Sequence, residues 1–293
     1  MCFSRTPGGL AEKWRFHQVP TIWVEGPTDI FFYEPITEQI PCRMEAFHGS
    51  ENANALIQAL VDHDYPYLVI LDGDYRILKR TKVPHRCVII LARYSFENYL
   101  WEHEPVNRAC LRHARCGENK DLVGGEMERV EKHLRDELLH AVALDIAARR
   151  SPTPPRVLPD AIEQLELTRS GPDIDPAKIS SLVALIEPQL DPVKIMDAEA
   201  ELTSFLEKRC ITHILNGHLI LAILRRLFIR SAKNESGTPS SLSNDALTQL
   251  LADIVWRRCQ SDDHKRLKRA VRAKTRKLLA KYPVNALSSS SIL

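Results

Sequence analysis

Two short apolar runs that each stop on an acid constrain this chain more than any other feature. Thr21-Ile-Trp-Val24 leads into Glu25-Gly26-Pro27, and Tyr67-Leu-Val-Ile-Leu71 leads into Asp72-Gly73-Asp74. Neither run alternates polar with apolar residues, so each suits a strand covered on both faces. Cys87–Leu91 is a third run of this kind, and Cys42–Phe47 reads as a weaker strand. Helical patterns lie between them. Asp29–Ile40 offers Ile30, Phe31, Tyr33 and Ile36 to a buried side, and Asn54–His63 places Leu56, Ile57, Leu60 and Val61 at helical spacing. Strands alternating with helices specify an α/β fold with a mainly parallel, Rossmann-like sheet flanked by helices.

Beyond about Glu102 the strand signals vanish. Helical patterns cover Glu126–Arg149, Ala177–Ile186, Ala198–Lys208, Ile211–Ile229 and Asp245–Arg258. Proline-rich connectors and the polar Ser231–Ser243 stretch separate them. The expected organisation is an extension over 1–18, a catalytic α/β domain over 19–105, a helical domain over 106–261, and a basic helix with its tail over 262–293.

The chain has 293 residues, enough for one large domain or two modest ones. Its seven cysteines are odd in number and form no CxxC pair, which argues against a disulfide framework or zinc site and for a reducing cytoplasm. No apolar h-region opens the sequence, so no secretory signal is expected. Polar residues from His213 to Arg226 interrupt the greasiest stretch, making it a buried helix and not a membrane span. No HExxH pattern is present, and His213 and His218 read as structural. The absence of a GxxxxGK[ST] loop argues against ATP hydrolysis by this chain.

In a parallel sheet, ligands gather where the strands end. If the two acid-tipped strands are neighbours, Glu25, Asp72 and Asp74 converge, and three carboxylates in one crevice need a cation to offset their repulsion. A hard, oxygen-seeking ion such as Mg2+ fits them, with Mn2+ as the alternative. Gly26 and Gly73 keep the backbone uncluttered beside the acids. Asp29 is either the N-cap of the following helix or a group supporting the metal.

Val24-Glu-Gly-Pro-Thr-Asp29 followed by Leu71-Asp-Gly-Asp74 resembles the TOPRIM domain of topoisomerases, bacterial primases and overcoming-lysogenization-defect nucleases. Arg93-Tyr-Ser-Phe-Glu97-Asn98-Tyr-Leu100 looks like an element of a narrower branch, a stand-alone TOPRIM domain with a helical C-terminal half. Ile214-Leu-Asn-Gly217-His-Leu-Ile-Leu221 resembles a further element of that branch. The resemblance implies that Asp72 and Asp74 hold Mg2+, while Glu25 completes the metal shell or acts as general base or acid. It matches Gly26 and Asp29 to the first motif. It makes Glu97 either an acid at a second metal site or a capping or salt-bridging acid, with Asn98 placed to orient it.

Some members of the branch are toxic effectors of bacterial anti-phage systems of the PARIS type. That likeness implies a bacterial cytoplasmic nuclease that pairs with an ABC-type ATPase, is released by a phage trigger, and cuts host tRNA. Homodimerisation is expected at the family level, with no membrane association.

Tyr75-Arg76-Ile-Leu-Lys79-Arg80-Thr-Lys82 follows the proposed metal site. Arg76 and Arg80 are candidates to grip a nucleic-acid backbone, and Lys79 or Lys82 to stabilise transition-state charge. The alternative is a solvated loop. The cluster of Tyr94, Phe96, Tyr99 and Trp101 reads as core.

The strongest charge feature is Asp262–Lys281. It carries Lys265, Arg266, Lys268, Arg269, Arg272, Lys274, Arg276, Lys277 and Lys281, with no acid after Asp263. Its charge order favours a helix through the macrodipole, and a helix this basic is a candidate nucleic-acid contact. The competing functions are a DNA nuclease of the overcoming-lysogenization-defect type and a non-catalytic partner of an ATPase. A haloacid-dehalogenase phosphatase does not fit, because Asp74-Tyr-Arg-Ile lacks that family's Gly-Thr turn.

Overall fold

The computed structural model describes residues 9, 19–79, 81–117, 119–152, 155, 157–159, 162–166, 171–236 and 242–282, with the backbone alone for 162 and 234–236. Arg80, the serine-rich end and all but one residue of the expected extension lie outside these residues. The fold is α/β. Four strands form an all-parallel sheet in the order β2-β1-β3-β4, where β1 is Thr21–Val24, β2 Arg43–Ala46, β3 Tyr67–Leu71 and β4 Val88–Ile90.

The described chain forms two compact units. The first comprises residues 19–73, 81–92 and 259–282, and it contains the whole sheet. Between β1 and β2 lies helix α1 (Pro27–Thr37), and between β2 and β3 lies α2 (Ser50–His63). Both central strands are sealed along their length: β1 reads buried throughout, as does β3. Each fully buried Val, Leu or Ile there contributes about 1.5–3 kcal/mol. The edge strand β2 has the weaker signal because its Arg43 and Glu45 pair with each other at 2.5 Å along the same strand. Charges of this kind discourage pairing with a further strand.

The second unit comprises residues 74–79 and 93–258, within the described set. Its helices are α3 (His103–His113), α4 (Gly124–Arg149), α5 (Pro176–Ile186), α6 (Pro192–Leu206), α7 (Gly217–Ser236) and α8 (Asn244–Arg258). The sequence pattern missed α3. It also extended the α7 pattern back to Ile211, where the chain instead makes a separate 3-10 turn, Ile211–His213. Asp175 and Asp191 cap α5 and α6 by accepting from the backbone N–H two residues on, each followed by proline at the first helical position.

This division cuts the chain differently from the four expected segments. Arg93–Leu100 belongs with the helices and not with the sheet. The basic helix, α9 (Asp262–Lys281), is part of the sheet unit and packs against α1 and β3. Its Leu267, Val271, Thr275 and Leu278 recur every three or four residues and are all buried, which gives the helix a strong reason to return to the sheet. Among the described residues no helix is long and apolar enough to cross a membrane.

Candidate metal site at the strand exits

β1 and β3 are direct neighbours, with Thr21 opposite Tyr67 and Trp23 opposite Val69. Extending that register brings Glu25 level with the end of β3. The Glu25 side chain spans the gap: its Oε1 accepts a hydrogen bond from the Asp72 backbone N–H at 3.1 Å. On the other flank the Glu25 carbonyl accepts from the His48 N–H at 3.0 Å. The residue is therefore held from both sides at the edge where ligands gather. Glu25 and Asp72 are both half-buried, shielded yet reachable. Carboxylates at adjacent strand exits are of the hard oxygen type that Mg2+ or Mn2+ prefers.

Gly26 is the N-cap position of α1, and Asp29 is not: it is the third helical residue, with Pro27 at the first. Asp29 is buried and curls back over Gly26, where an added Cβ would lie 3.1 Å from the Asp29 Oδ1. Glycine there makes room for the carboxylate. Lys82 is exposed in the same unit.

The Asp72-Gly73-Asp74 motif straddles the division between the units, with Asp74 the first residue of the second. There Asp74 opens the 3-10 turn Asp74–Leu78 with a left-handed backbone, φ 45°. That conformation costs a non-glycine residue about 1–2 kcal/mol, and aspartate tolerates it better than most. The Asp74 N–H donates to the Tyr94 carbonyl at 2.8 Å, which locks the turn.

Arg76 and Lys79 are committed to partners. Arg76 bonds Asp74 at 3.0 Å, and Lys79 pairs with Glu201 of α6 at 2.9 Å. Arg150 pairs with the same glutamate at 2.6 Å. Burial works against the Glu201 charge, but the Arg150 and Lys79 hydrogen bonds outweigh it and hold the carboxyl below its ordinary range. The Tyr75 hydroxyl donates to Asp145 of α4 at 2.6 Å, and Arg149 bonds the same carboxylate at 3.3 Å. Burial first, then the Asp145 charge, pushes the Tyr75 hydroxyl well above its usual value. The stretch is an anchored turn, and neither Arg76 nor Lys79 is a spare cation for phosphate. Nothing local in the sequence signals partners 51 to 122 positions apart.

Glu97 and Asn98 lie in the second unit, both buried. The Asn98 side chain accepts from the N–H and Oγ of Ser95, each at 2.8 Å. Its amide donates to the carbonyls of Thr212 at 2.6 Å and Leu215 at 2.9 Å. It fastens two distant segments together and holds Ser95, which also bonds Glu97. Burial raises the Glu97 carboxyl, with the Ser95 hydrogen bond opposing. Gly217, at the start of α7, sits so close that a Cβ there would overlap Ser95 Oγ and a Glu97 carboxylate oxygen. Asn216 caps α7 by accepting from the His218 N–H at 2.9 Å. The two motifs around Glu97 and Gly217 thus form one cluster.

His218 is an exposed residue 3.9 Å from the Glu97 carboxylate, and the buried setting expected of it does not hold. The aromatic cluster Tyr94, Phe96, Tyr99 and Trp101 is core, as its composition indicates. A further set of possible donors, Asp64, His85 and Cys87, lies in the sheet unit where strands begin. Arg86 and Lys281 already engage the Asp64 carboxylate, and such cations oppose a metal ion. No family model matches this chain, and no curated protein matches it.

Proposed function

We propose that this protein is a divalent-metal-dependent phosphodiesterase of the TOPRIM type. The observation that carries the reading is the Glu25–Asp72 hydrogen bond between adjacent strand exits. It sets two acids at the edge of a parallel sheet where a metal and a phosphate would meet. Glu25 and Asp72 would hold the ion; Asp74, which bonds Arg76, belongs to the second unit. Bound Mg2+ would polarise the phosphoryl oxygen and favour a nucleophile at neutral pH. The Asp72 N–H fixes the Glu25 side chain at the strand exit, where its carboxylate would serve either the ion or a proton from the attacking oxygen.

The resemblance to the stand-alone branch extends the reading to an anti-phage effector in the bacterial cytoplasm. Under it the enzyme cuts tRNA when released from an ABC-type ATPase and acts as a homodimer. Support for Glu97 as a second metal ligand is weaker, because its carboxylate is enclosed by Ser95 and Gly217.

The test is cleavage of total tRNA, and separately of plasmid DNA, by the native protein and its Glu25→Gln variant, with Mg2+ and with EDTA. Cleavage of tRNA that needs both the metal and Glu25 is the expected result. Cutting of DNA alone would move the substrate to that of a DNA nuclease. Cutting that survives Glu25→Gln would remove the site, and no cutting even with the ATPase and its trigger present would favour a binding subunit.

A further inference from the structure

α9 turns its two sides to different tasks. Its apolar stripe is spent on the sheet, so this amphipathic helix cannot lay that stripe into a membrane or a partner's groove. Its last turn is pinned: Lys274 donates to the Arg86 carbonyl, Lys281 pairs with Asp64, and the Tyr282 hydroxyl donates to the Asp64 carbonyl at 2.6 Å. Lys274 is thereby withdrawn from the expected nucleic-acid contacts, and Lys268 is half-buried.

What faces outward is almost entirely cationic. Lys265, Arg266, Arg269, Arg276 and Lys277 are exposed, and Arg272 is partly so. None of these six forms an ion pair with a carboxylate of the described residues. Lys265, Arg269, Arg272 and Arg276 follow one another at spacings of three and four, a straight row about 17 Å long at the helical rise. Within the helix, the other exposed residues after Asp262 are Ala273, Ala280 and Lys281. No aromatic side chain stands on this face to stack a base, as single-strand binders use, or to anchor a protein partner. A rigid row of charge without an apolar anchor suits a regular array of phosphates. The end of the helix is tied where the strands begin, and its body packs against α1 and β3, the two elements that flank the Glu25 and Asp72 exits.

We propose that the outward face of α9 is the docking surface for the phosphate backbone of a double-helical RNA stem. The choice of RNA rests on the functional reading above, and the row of cations carries the choice of a duplex. Lys265, Arg266, Arg269, Arg272, Arg276 and Lys277 would neutralise phosphates along one flank of the stem and carry little sequence preference. They would deliver a phosphodiester toward the strand exits.

The test is fluorescence anisotropy in EDTA, where no cleavage occurs, with a labelled RNA duplex, its single strand and the matching DNA duplex. Titrations at several KCl concentrations give the slope of log affinity against log salt. For the full-length protein the expected slope on RNA duplex is about −4 to −5, the value for five or so phosphate contacts. Arg269→Gln and Arg276→Gln should each reduce it by about 1, Arg269→Lys should retain it, and Arg112→Gln in the second unit should not alter it. Equal slopes in the two Gln variants and the native protein would overturn the proposal. Tighter binding of the single strand would overturn the choice of a duplex, and equal or tighter binding of DNA the choice of RNA. Because binding is read without metal, Glu25→Gln should bind like the native protein. Loss of cleavage with binding intact therefore concerns the catalytic reading alone, and loss of binding in the α9 variants concerns the docking face alone.

Discussion

Glu25 and Glu97 are both carboxylates at a turn of the chain, each within a motif that stands out in the sequence, and they are held in opposite ways. Glu25 is half-buried at the edge of a parallel sheet, with bonds from two flanking strand exits. Glu97 is enclosed, pressed between Ser95 and the first residue of α7. The first arrangement leaves a carboxylate reachable at the sheet edge. The second makes the charge costly, which is why burial raises the Glu97 carboxyl. A conspicuous acid in a motif is therefore no guide to its task until its surroundings are known. In this account Glu25 and Asp72 belong to chemistry, and Glu97 with Asn98 belongs to the joint between two segments of the helical unit.

The largest expected effect is on the exit acids. Glu25→Gln and Asp72→Asn should each lower metal-dependent cleavage by about 10²-fold or more. Their melting temperatures should stay close to that of the native protein, since neither side chain is core. A fall in stability of the size expected at Asn98 would break the comparison. Asn98→Ala comes next. It removes the partner of the buried Ser95 N–H and of the Thr212 and Leu215 carbonyls, at about 1–3 kcal/mol for each group left unsatisfied. Chemical denaturation would read this as a lower midpoint.

Gly217→Ala should be milder, at about 1–3 kcal/mol of overpacking, because Ser95 and Glu97 must shift to admit the methyl group. Gly26→Ala should cost less, since its Cβ would meet only the Asp29 carboxylate at 3.1 Å.

The smallest effect concerns Glu97→Gln and the dependence of stability on pH. A carboxyl held above its ordinary 4.5 binds its proton more tightly in the folded state than in the unfolded one. Its contribution is complete at pH below that ordinary value and is lost as pH rises through the raised one. Glu97→Gln should therefore flatten that part of the profile and leave the protein at least as stable at neutral pH. Denaturation midpoints from acid to neutral pH would show it. If the variant instead lost metal-dependent cleavage, Glu97 would belong with Glu25 and the contrast between them would fail.

The sheet was legible because its signal is local. β3 runs Tyr67–Leu71, the bounds of the apolar run itself, since five consecutive apolar residues between polar ones suffice to mark a strand buried on both faces. That β1 and β3 are neighbours, which brings Glu25 beside Asp72, was only a condition in the sequence reading, because the order of strands and helices does not fix which strands pair. The committed roles of Lys79 and Lys274 were not legible. A basic residue beside a proposed metal site reads as available, and Glu201 and the Arg86 carbonyl lie far along the chain. Asp29 illustrates a shift of only a few residues: with glycine as the cap and proline first in the helix, the acid moves inward and its task changes. α3 was missed because His103-Glu-Pro-Val-Asn-Arg carries too few apolar residues at its start to show a helical period, although Val106, Ala109 and Cys110 are buried.

The central claim is that Glu25 and Asp72 together hold a divalent metal ion. The most direct measurement is Mn2+ titration followed by electron paramagnetic resonance, comparing the native protein with Glu25→Gln and Asp72→Asn. The account predicts bound Mn2+ in the native protein, displaced by excess Mg2+, and weaker binding in each variant by at least about tenfold. Undiminished binding in both variants, or none in the native protein with or without RNA, would contradict it.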